Sequence, residues 1–345
     1  TGKPKGACIT HASLSTHTAA LVHHELRFDD RTRALGVLPL THSFGIRMAV
    51  LAPFYAGGRV VLLPRFDAAR SLEVAREESV TFIPAVPTMF AGWARTASSE
   101  RTASWSSLDF CLSAGAPLPD EIRAQASTRL GADVRQGYGL TEATFSAIDA
   151  PMERARPGTV GHAVWGVEIA VADPSGRHLP AGEDGEVLVR GQNVMSHYLD
   201  DPSATKEAFR DGWLRTGDVG RLDEEGRLTI VDRTKDLILR GGNNVYPSEV
   251  EDVLHRHPSI AEVAVVGLPE AYYGEEVVAV VRLVEGAALD RAALEQFARA
   301  HLAAFKVPRA FALAREMPLG PSGKVLKRLL RDSLQDGTLP IERCR

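Results

Sequence analysis

The sequence predicts a two-domain α/β protein. A large N-terminal domain would combine a parallel α/β sheet with a small β-barrel subdomain, and a small α+β domain would follow. Three observations carry this. Short apolar runs alternate with helical segments between residues 34 and 150, and period-two alternation of apolar and polar residues begins at residue 166. The charged run Asp232-Arg233-Thr234-Lys235-Asp236 then precedes a fresh set of strands and helices. Apolar runs between helices mark parallel strands covered on both faces, and alternation marks antiparallel strands with one wet face.

In chain order, residues 34–40 (ALGVLPL), 59–64 (RVVLLP) and 80–86 (VTFIPAV) read as buried strands. Residues 68–79 have helical composition, and residues 121–130 read as a helix entered through Pro119-Asp120. The segments GVEIAVAD and GEVLVRG are antiparallel strands, with turns at Asp173-Pro174-Ser175-Gly176 and Asp223-Glu224-Glu225-Gly226. Beyond the charged run, Ser248 and Glu251 have capping-box spacing for a helix that Pro258 stops. Strands at 260–266 and 277–284 follow, then a helix with Leu294, Phe297, Ala298 and Leu302 on one face. Leu326, Leu329, Leu330 and Leu334 mark a last helix. These changes of pattern place an α/β subdomain at 1–154, a barrel subdomain at 155–234 and the C-terminal domain at 235–345.

Composition narrows the class. A chain of 345 residues that is 44% hydrophobic and 24% charged can bury large cores. Its net charge of −4 gives no global argument for a nucleic-acid or anionic-membrane partner. The three cysteines, Cys8, Cys111 and Cys344, form no CxxC pair, so no metal or disulfide framework is expected and a reducing, cytoplasmic setting fits. No apolar run is long enough for a membrane span, and no signal peptide opens the chain. The chain starts at Thr1 inside TGKPKG, which reads as half of a phosphate loop. The expectation is therefore an N-terminally truncated protein, weak or inactive by itself.

Two segments carry chemistry. TGKPKG sets two glycines and two lysines within six residues, so backbone N–H groups and positive charge can close on phosphate oxygens. It is no Walker A loop, because Ala7 follows Gly6, and a solvated basic turn fits it equally well. In QGYGLTEAT (136–144), Glu142 stands where a dinucleotide fingerprint needs its third glycine. A carboxylate beside a phosphate makes sense when it holds Mg²⁺. The alternative is a turn leading into a helix N-cap.

Together with those below, these segments resemble the adenylate-forming superfamily, which includes acyl-CoA synthetases, luciferases and peptide-synthetase adenylation domains. The resemblance runs from Thr1 to about Leu330. It implies that Thr1, Gly2 and Lys5 close a phosphate loop, and that His42 in PLTHSFG gates the acid's carboxylate. Gly115, Ala116 and Pro117 in SAGAPL would line adenine. Tyr138 would stack on it, with Gln136 and Gly137 beside it. Thr141 would meet a phosphate and Glu142 would hold Mg²⁺. Asp218 in WLRTGD would take the ribose hydroxyls, and Arg233 in VDRTKD a second ribose or phosphate contact. Lys235 would be the hinge and Lys324 in PSGK the catalytic lysine of the mobile domain. Gly241, Gly242 and Asn243 would line the thiol's entry, and Arg65 would meet a phosphate of CoA.

For two of these residues plainer readings stand alongside: a structural histidine at His42 and a turn residue at Asp218. Lys324 is read as opening the last helix, where the dipole disfavours a cation and an anionic partner is expected.

The resemblance implies an ATP-dependent ligase that makes an acyl-AMP from a small carboxylic acid and passes the acyl group to CoA, with Mg²⁺ present. Pro39 to Pro53 holds no acidic residue that would pair a substrate ammonium, which argues against amino acids. Leu239 stands where aryl-acid ligases often carry lysine, which favours a fatty acid. Arg47 would either face solvent or pair the second carboxylate of a diacid. Two alternatives remain: an adenylation module loading an acyl carrier protein, and a non-catalytic nucleotide-binding relative.

Overall fold

The computed structural model describes residues 5–96, 107–320 and 325–343. The chain divides into two compact units, Thr1–Ile230 and Val231–Arg345.

The first unit is built on a seven-stranded sheet in the order Arg59–Leu62, Arg33–Gly36, Phe82–Ala85, Phe110–Ala114, Asp133–Leu140, Thr144–Ile148, His162–Ala163. The first five strands run parallel, and the last two pair antiparallel. Neighbouring residues on each strand enter opposite cores. Leu35, Ile83 and Cys111 join one core with Phe90, Trp93 and Leu130. Ala34, Phe82, Phe110 and Leu112 join the other with Tyr138 and Phe145. Burial on both faces is why these strands read as unbroken apolar runs. The helix Ala68–Glu77 is entered through Asp67, whose carboxylate accepts the Arg70 N–H at 2.7 Å.

QGYGLTEAT is neither a nucleotide-type loop nor a helix start. It is the hinge of a β-hairpin between Asp133–Leu140 and Thr144–Ile148. A Cβ on Gly139 would sit 1.9 Å from the Thr144 carbonyl oxygen, and one on Gly137 would sit 2.5 Å from the Phe145 ring. The glycines admit a close strand approach, so the turn does not lead into a helix N-cap but into a return strand.

A second, five-stranded sheet orders Phe209–Arg210, Trp213–Leu222, Gly185–Gly191 and Val167–Ala172, with Leu228–Arg233 also on Trp213–Leu222. Both predicted turns form. Gly176 and Gly226 hold φ of +92° and +80°, and Asp223 Oδ1 accepts the Glu225 and Arg227 amides at 2.9 and 2.8 Å.

An ion network joins the two sheets. Asp149 is 3% exposed, with Arg135 Nη1 at 3.6 Å and Arg227 Nη1 at 3.9 Å, and Arg227 also holds Glu153 at 2.8 Å. Burial outweighs both arginines and pushes the Asp149 carboxyl up to about 6. A carboxyl raised on folding keeps an extra proton in the native state, so stability falls as pH rises from about 4 to about 6. Relative to Asp149→Asn, the parent should lose about 1–3 kcal/mol across that window in urea titrations. Parallel pH profiles for the two proteins would remove Asp149 as the cause.

The second unit holds a six-stranded sheet ordered Asn243–Val245, Ile238–Arg240, Gly274–Leu283, Ala310–Leu313, Glu342–Arg343, with Ile260–Glu270 also on Gly274–Leu283. Leu254 of helix Pro247–His255 and Leu294 and Ala298 of helix Arg291–His301 pack on one face. Leu330 and Leu334 of helix Lys327–Gln335 pack on the other.

Two local expectations fail here. Ser248 and Glu251 make no capping box. Asp232 Oδ2 accepts the Ser248 amide at 2.9 Å, Ser248 Oγ donates to the Val231 carbonyl, and Glu251 Oε1 accepts the Val265 amide at 2.6 Å. A carboxylate distant in sequence has taken over the cap. The last helix also starts later than expected, at Lys327. The first-turn cations are therefore Lys327, whose anionic partner is Glu251 at 2.7 Å, and Arg328, paired with Asp332 at 3.0 Å. Among the described residues, no helix is long and apolar enough to cross a membrane.

Candidate active site

The parallel strands bring half of the candidate residues toward their carboxyl ends, where open α/β sheets bind ligands. The chain runs from Arg33–Gly36 outward to Arg59–Leu62, then back across to Phe82–Ala85, so the strand order reverses beside Arg33–Gly36. His42 follows that strand. Its Nδ1 accepts the Phe44 amide at 3.2 Å and its carbonyl accepts the Ile46 amide at 3.1 Å. The imidazole thus starts the helical segment Gly45–Leu51, and a neutral ring carries its proton on Nε2.

Ala114 pairs with Gly137, so Gly115, at φ +91°, follows directly beside Tyr138. Ala116 is half-buried and Pro117 exposed in the same loop. Tyr138 is buried and its hydroxyl donates to Asp218 Oδ2 at 2.6 Å. Asp218 is 3% exposed, and its amide donates to Thr216 Oγ1 at 3.0 Å, which itself donates to the Val187 carbonyl at 2.7 Å. The second sheet thereby delivers a buried carboxylate to the hairpin of the first, a role no bare turn residue has. Gln136 is buried and its amide donates to the Thr159 carbonyl at 3.4 Å.

Thr141 is exposed and Glu142 half-buried at the hairpin tip. Glu142 Oε1 accepts the Tyr198 hydroxyl at 2.7 Å, and the Glu142 carbonyl accepts the Met195 amide at 2.7 Å. Burial and the adjacent Glu142 carboxylate push the Tyr198 phenol well above its usual range, so it remains a donor. Lys5 Nζ stands 4.2 Å from the Tyr198 ring centroid, held there because Ala7–Cys8 pairs with His197–Tyr198. Thr1 and Gly2 lie outside the described residues. Tyr198 was missed from sequence. Its strand is two residues long and follows no motif, so only the pairing with Ala7–Cys8 reveals it.

Arg65 is exposed just past Arg59–Leu62. That strand lies four places from Asp133–Leu140, roughly 19 Å at the usual strand spacing, so Arg65 is apart from the Tyr138 cluster. Arg47 departs from the solvent-facing reading: it is 4% exposed, and its Nη1 lies 3.1 Å from His17 Nδ1.

In the second unit, the Arg233 amide donates to Asp232 Oδ1 at 2.7 Å and its carbonyl accepts the Asp236 and Leu237 amides at 3.0 and 3.1 Å. Lys235 is exposed within that turn. Gly241 and Gly242, at φ +56° and +78°, form the two-residue loop of a hairpin closed by the Arg240–Asn243 pair. This loop type needs both positive φ values. Asn243 Nδ2 donates back to the Gly241 carbonyl at 3.3 Å. Lys324 lies outside the described residues.

No group of three or more His, Cys, Asp or Glu side chains able to hold a metal occurs among the described residues. Glu142 as a single carboxylate ligand still fits Mg²⁺, which takes one or two carboxylates and completes its shell with water and substrate phosphates.

The model of the AMP-binding enzyme family matches residues 1–199, and that of the AMP-binding enzyme C-terminal domain matches residues 249–324. A long-chain-fatty-acid–CoA ligase of Bacillus subtilis (strain 168) is 35% identical over 334 residues, 96% of this chain and 59% of its own length. A feruloyl-CoA synthase of an Amycolatopsis species is 38% identical over 330 residues, 95% of this chain and 66% of its own. ATP-bound MatB from Rhodopseudomonas palustris superposes with a TM-score of 0.92 at 34% identity, covering 97% of this chain and 66% of that one. The chain thus spans about three-fifths to two-thirds of the relatives it matches. With family models matched in both its large and its C-terminal portions, the chain belongs to the AMP-binding enzyme family.

Proposed function

We propose that this protein is an ATP-dependent acyl-CoA ligase: it activates a carboxylic acid as its acyl-AMP and transfers the acyl group to CoA. The observation that carries the reading is the buried Tyr138–Asp218 pair at 2.6 Å beside left-handed Gly115, a ring and a carboxylate set as a nucleoside needs them. The names of the relatives, both acid–CoA ligases, point the same way.

In the first half-reaction a carboxylate oxygen attacks the α-phosphorus of ATP, and the bond to the β-phosphate oxygen breaks to release pyrophosphate. The chain's own residues mainly position and neutralise. The Tyr138 ring flanks adenine, with its hydroxyl orienting Asp218 toward the ribose. Lys5 and Lys324 offset phosphate charge. Bound at Glu142, Mg²⁺ would neutralise phosphate oxygens further. His42 starts the helix beside the carboxylate's approach. In the second half-reaction the CoA thiol sulfur attacks the acyl carbon and AMP leaves, with Gly241, Gly242 and Asn243 giving a narrow pantetheine arm close access. Arg233 supports the nucleotide and Arg65 a CoA phosphate. Lys235 is the pivot between the two half-reactions, a few residues past the division of the chain between Ile230 and Val231. Lys235→Pro is expected to spare pyrophosphate exchange and slow thioester formation, and equal loss of both would count against the pivot.

A fatty acid is the proposed substrate, supported by Leu239 and by the fatty-acid ligase relative. An aryl acid is the second reading, favoured by the feruloyl-CoA synthase. The test is AMP release by the natural full-length gene product with ATP, Mg²⁺ and panels of fatty, dicarboxylic and aryl acids, with and without CoA. AMP that requires both an acid and CoA supports the ligase and names the acid. Exchange without CoA-dependent turnover indicates a carrier-protein acceptor, and no AMP with any acid indicates a non-catalytic relative.

A further inference from the structure

A buried polar network behind the hairpin tip is not used by the chemistry above. Arg47 sits in the helical segment Gly45–Leu51, and its Nη1 lies 3.1 Å from His17 Nδ1 and 3.5 Å from the Leu14 carbonyl. No carboxylate pairs with it among the described residues, so a buried cation is met by neutral acceptors alone, a costly arrangement to retain.

His17, fully buried, has its Nε2 2.7 Å from the Phe145 carbonyl oxygen. A carbonyl only accepts, so Nε2 carries the proton and donates. That fixes the tautomer and leaves Nδ1 to accept from Arg47 and from the Thr144 hydroxyl at 3.2 Å. Burial, with Arg47 adding to it, pushes the His17 pKa down to about 3, so the ring stays neutral and the tautomer holds at any working pH.

Asn193 approaches from another side. Its Nδ2 donates to the Ala143 carbonyl, to the Phe145 carbonyl at 3.2 Å and to Ser146 Oγ at 3.0 Å. Apart from the Arg47 bond to His17, these bonds from His17 and Asn193 all land on residues 143–146, directly after Thr141 and Glu142. Thr144 is held at φ +37°, where a β-branched residue stays only when its surroundings dictate it.

We infer that Arg47, His17 and Asn193 are positioning residues that clamp the return strand of the hairpin and so fix Thr141 and Glu142 against the nucleotide's phosphates. The helix His11–Ala20, the segment after the His42 gate and the loop beyond Gly185–Gly191 thereby meet on one turn. This inference rests on the ligase reading, because the turn's purpose is the phosphate end of ATP.

The test uses the natural full-length protein and ATP–pyrophosphate exchange at varied MgATP and varied acid. His17→Leu and Arg47→Met are expected to lower kcat, or raise the KM for MgATP, by roughly 10- to 100-fold, the loss typical of a catalytic group displaced by about an ångström. The KM for the acid should stay within twofold. His17→Gln keeps a donor toward Phe145 and an acceptor toward Arg47, and should recover most of the loss. A folded His17→Leu protein with MgATP kinetics within twofold of the parent would overturn the inference, as would equal losses in His17→Gln and His17→Leu. Should His17→Leu not fold, Arg47→Lys decides: an unchanged KM for MgATP and kcat overturns the clamp, and a selective MgATP defect supports it. A parent that makes no AMP with any acid defeats the ligase reading and this inference together, and that failure shows in the parent alone.

Discussion

Lys324→Ala should lower acyl-adenylate formation by roughly 10² to 10³, the usual cost of removing one preorganised charge from a developing phosphoryl centre. Pyrophosphate exchange reads this directly, because it needs no thiol. The physical case combines the PSGK motif with its setting. Three residues on, Lys327 is tied to Glu251 at 2.7 Å, and Glu251 is bonded to the Val265 amide at 2.6 Å. The acids Glu251, Asp232 and Asp236 together hold the Lys327 charge above its usual pKa against the burial that opposes it. The chain just beyond Lys324 is thus anchored to the sheet. An exchange rate retained within a few-fold in Lys324→Ala would sink the catalytic role, and unchanged urea midpoints would show that the fold is not the cause of a loss.

Glu142→Gln is expected to cost roughly 10² in exchange and to shift its Mg²⁺ dependence to higher concentration. The substitution preserves shape and can still accept the Tyr198 hydroxyl bond, which is 2.7 Å long in the parent, so charge alone changes. Tyr198→Phe makes the complementary cut, keeping the carboxylate and removing one donor. A single hydrogen bond to a charged acceptor is worth about 1.5–3 kcal/mol, so Tyr198→Phe can cost a comparable amount, but it should leave the Mg²⁺ dependence unmoved. If Glu142→Gln leaves the Mg²⁺ titration unmoved, the carboxylate is a structural partner of Tyr198 and not a metal ligand.

The apolar runs of the parallel sheet were legible because a strand buried on both faces needs nothing but apolar side chains. The paired turns at Gly176 and Gly226 were legible because positive φ selects glycine. The Gly-Tyr-Gly segment was not legible as a strand, since glycine used for close strand approach looks the same in one dimension as glycine used for a turn. The resemblance named Tyr138 and Asp218 separately, and the structure pairs them across eighty residues.

What the sequence by itself determined is what depends on short range: strand and helix type, turn chemistry, and the motifs that identify the family. The tertiary structure alone decided the partners of isolated polar residues. Ser248 lost its local cap to Asp232. Tyr198 gained a role through a two-residue strand, and Arg47 and His17 became partners although thirty positions apart. The reason is physical. A buried donor or acceptor must find a partner wherever folding places one, and that choice is made by packing between segments, about which spacing along the chain carries no information.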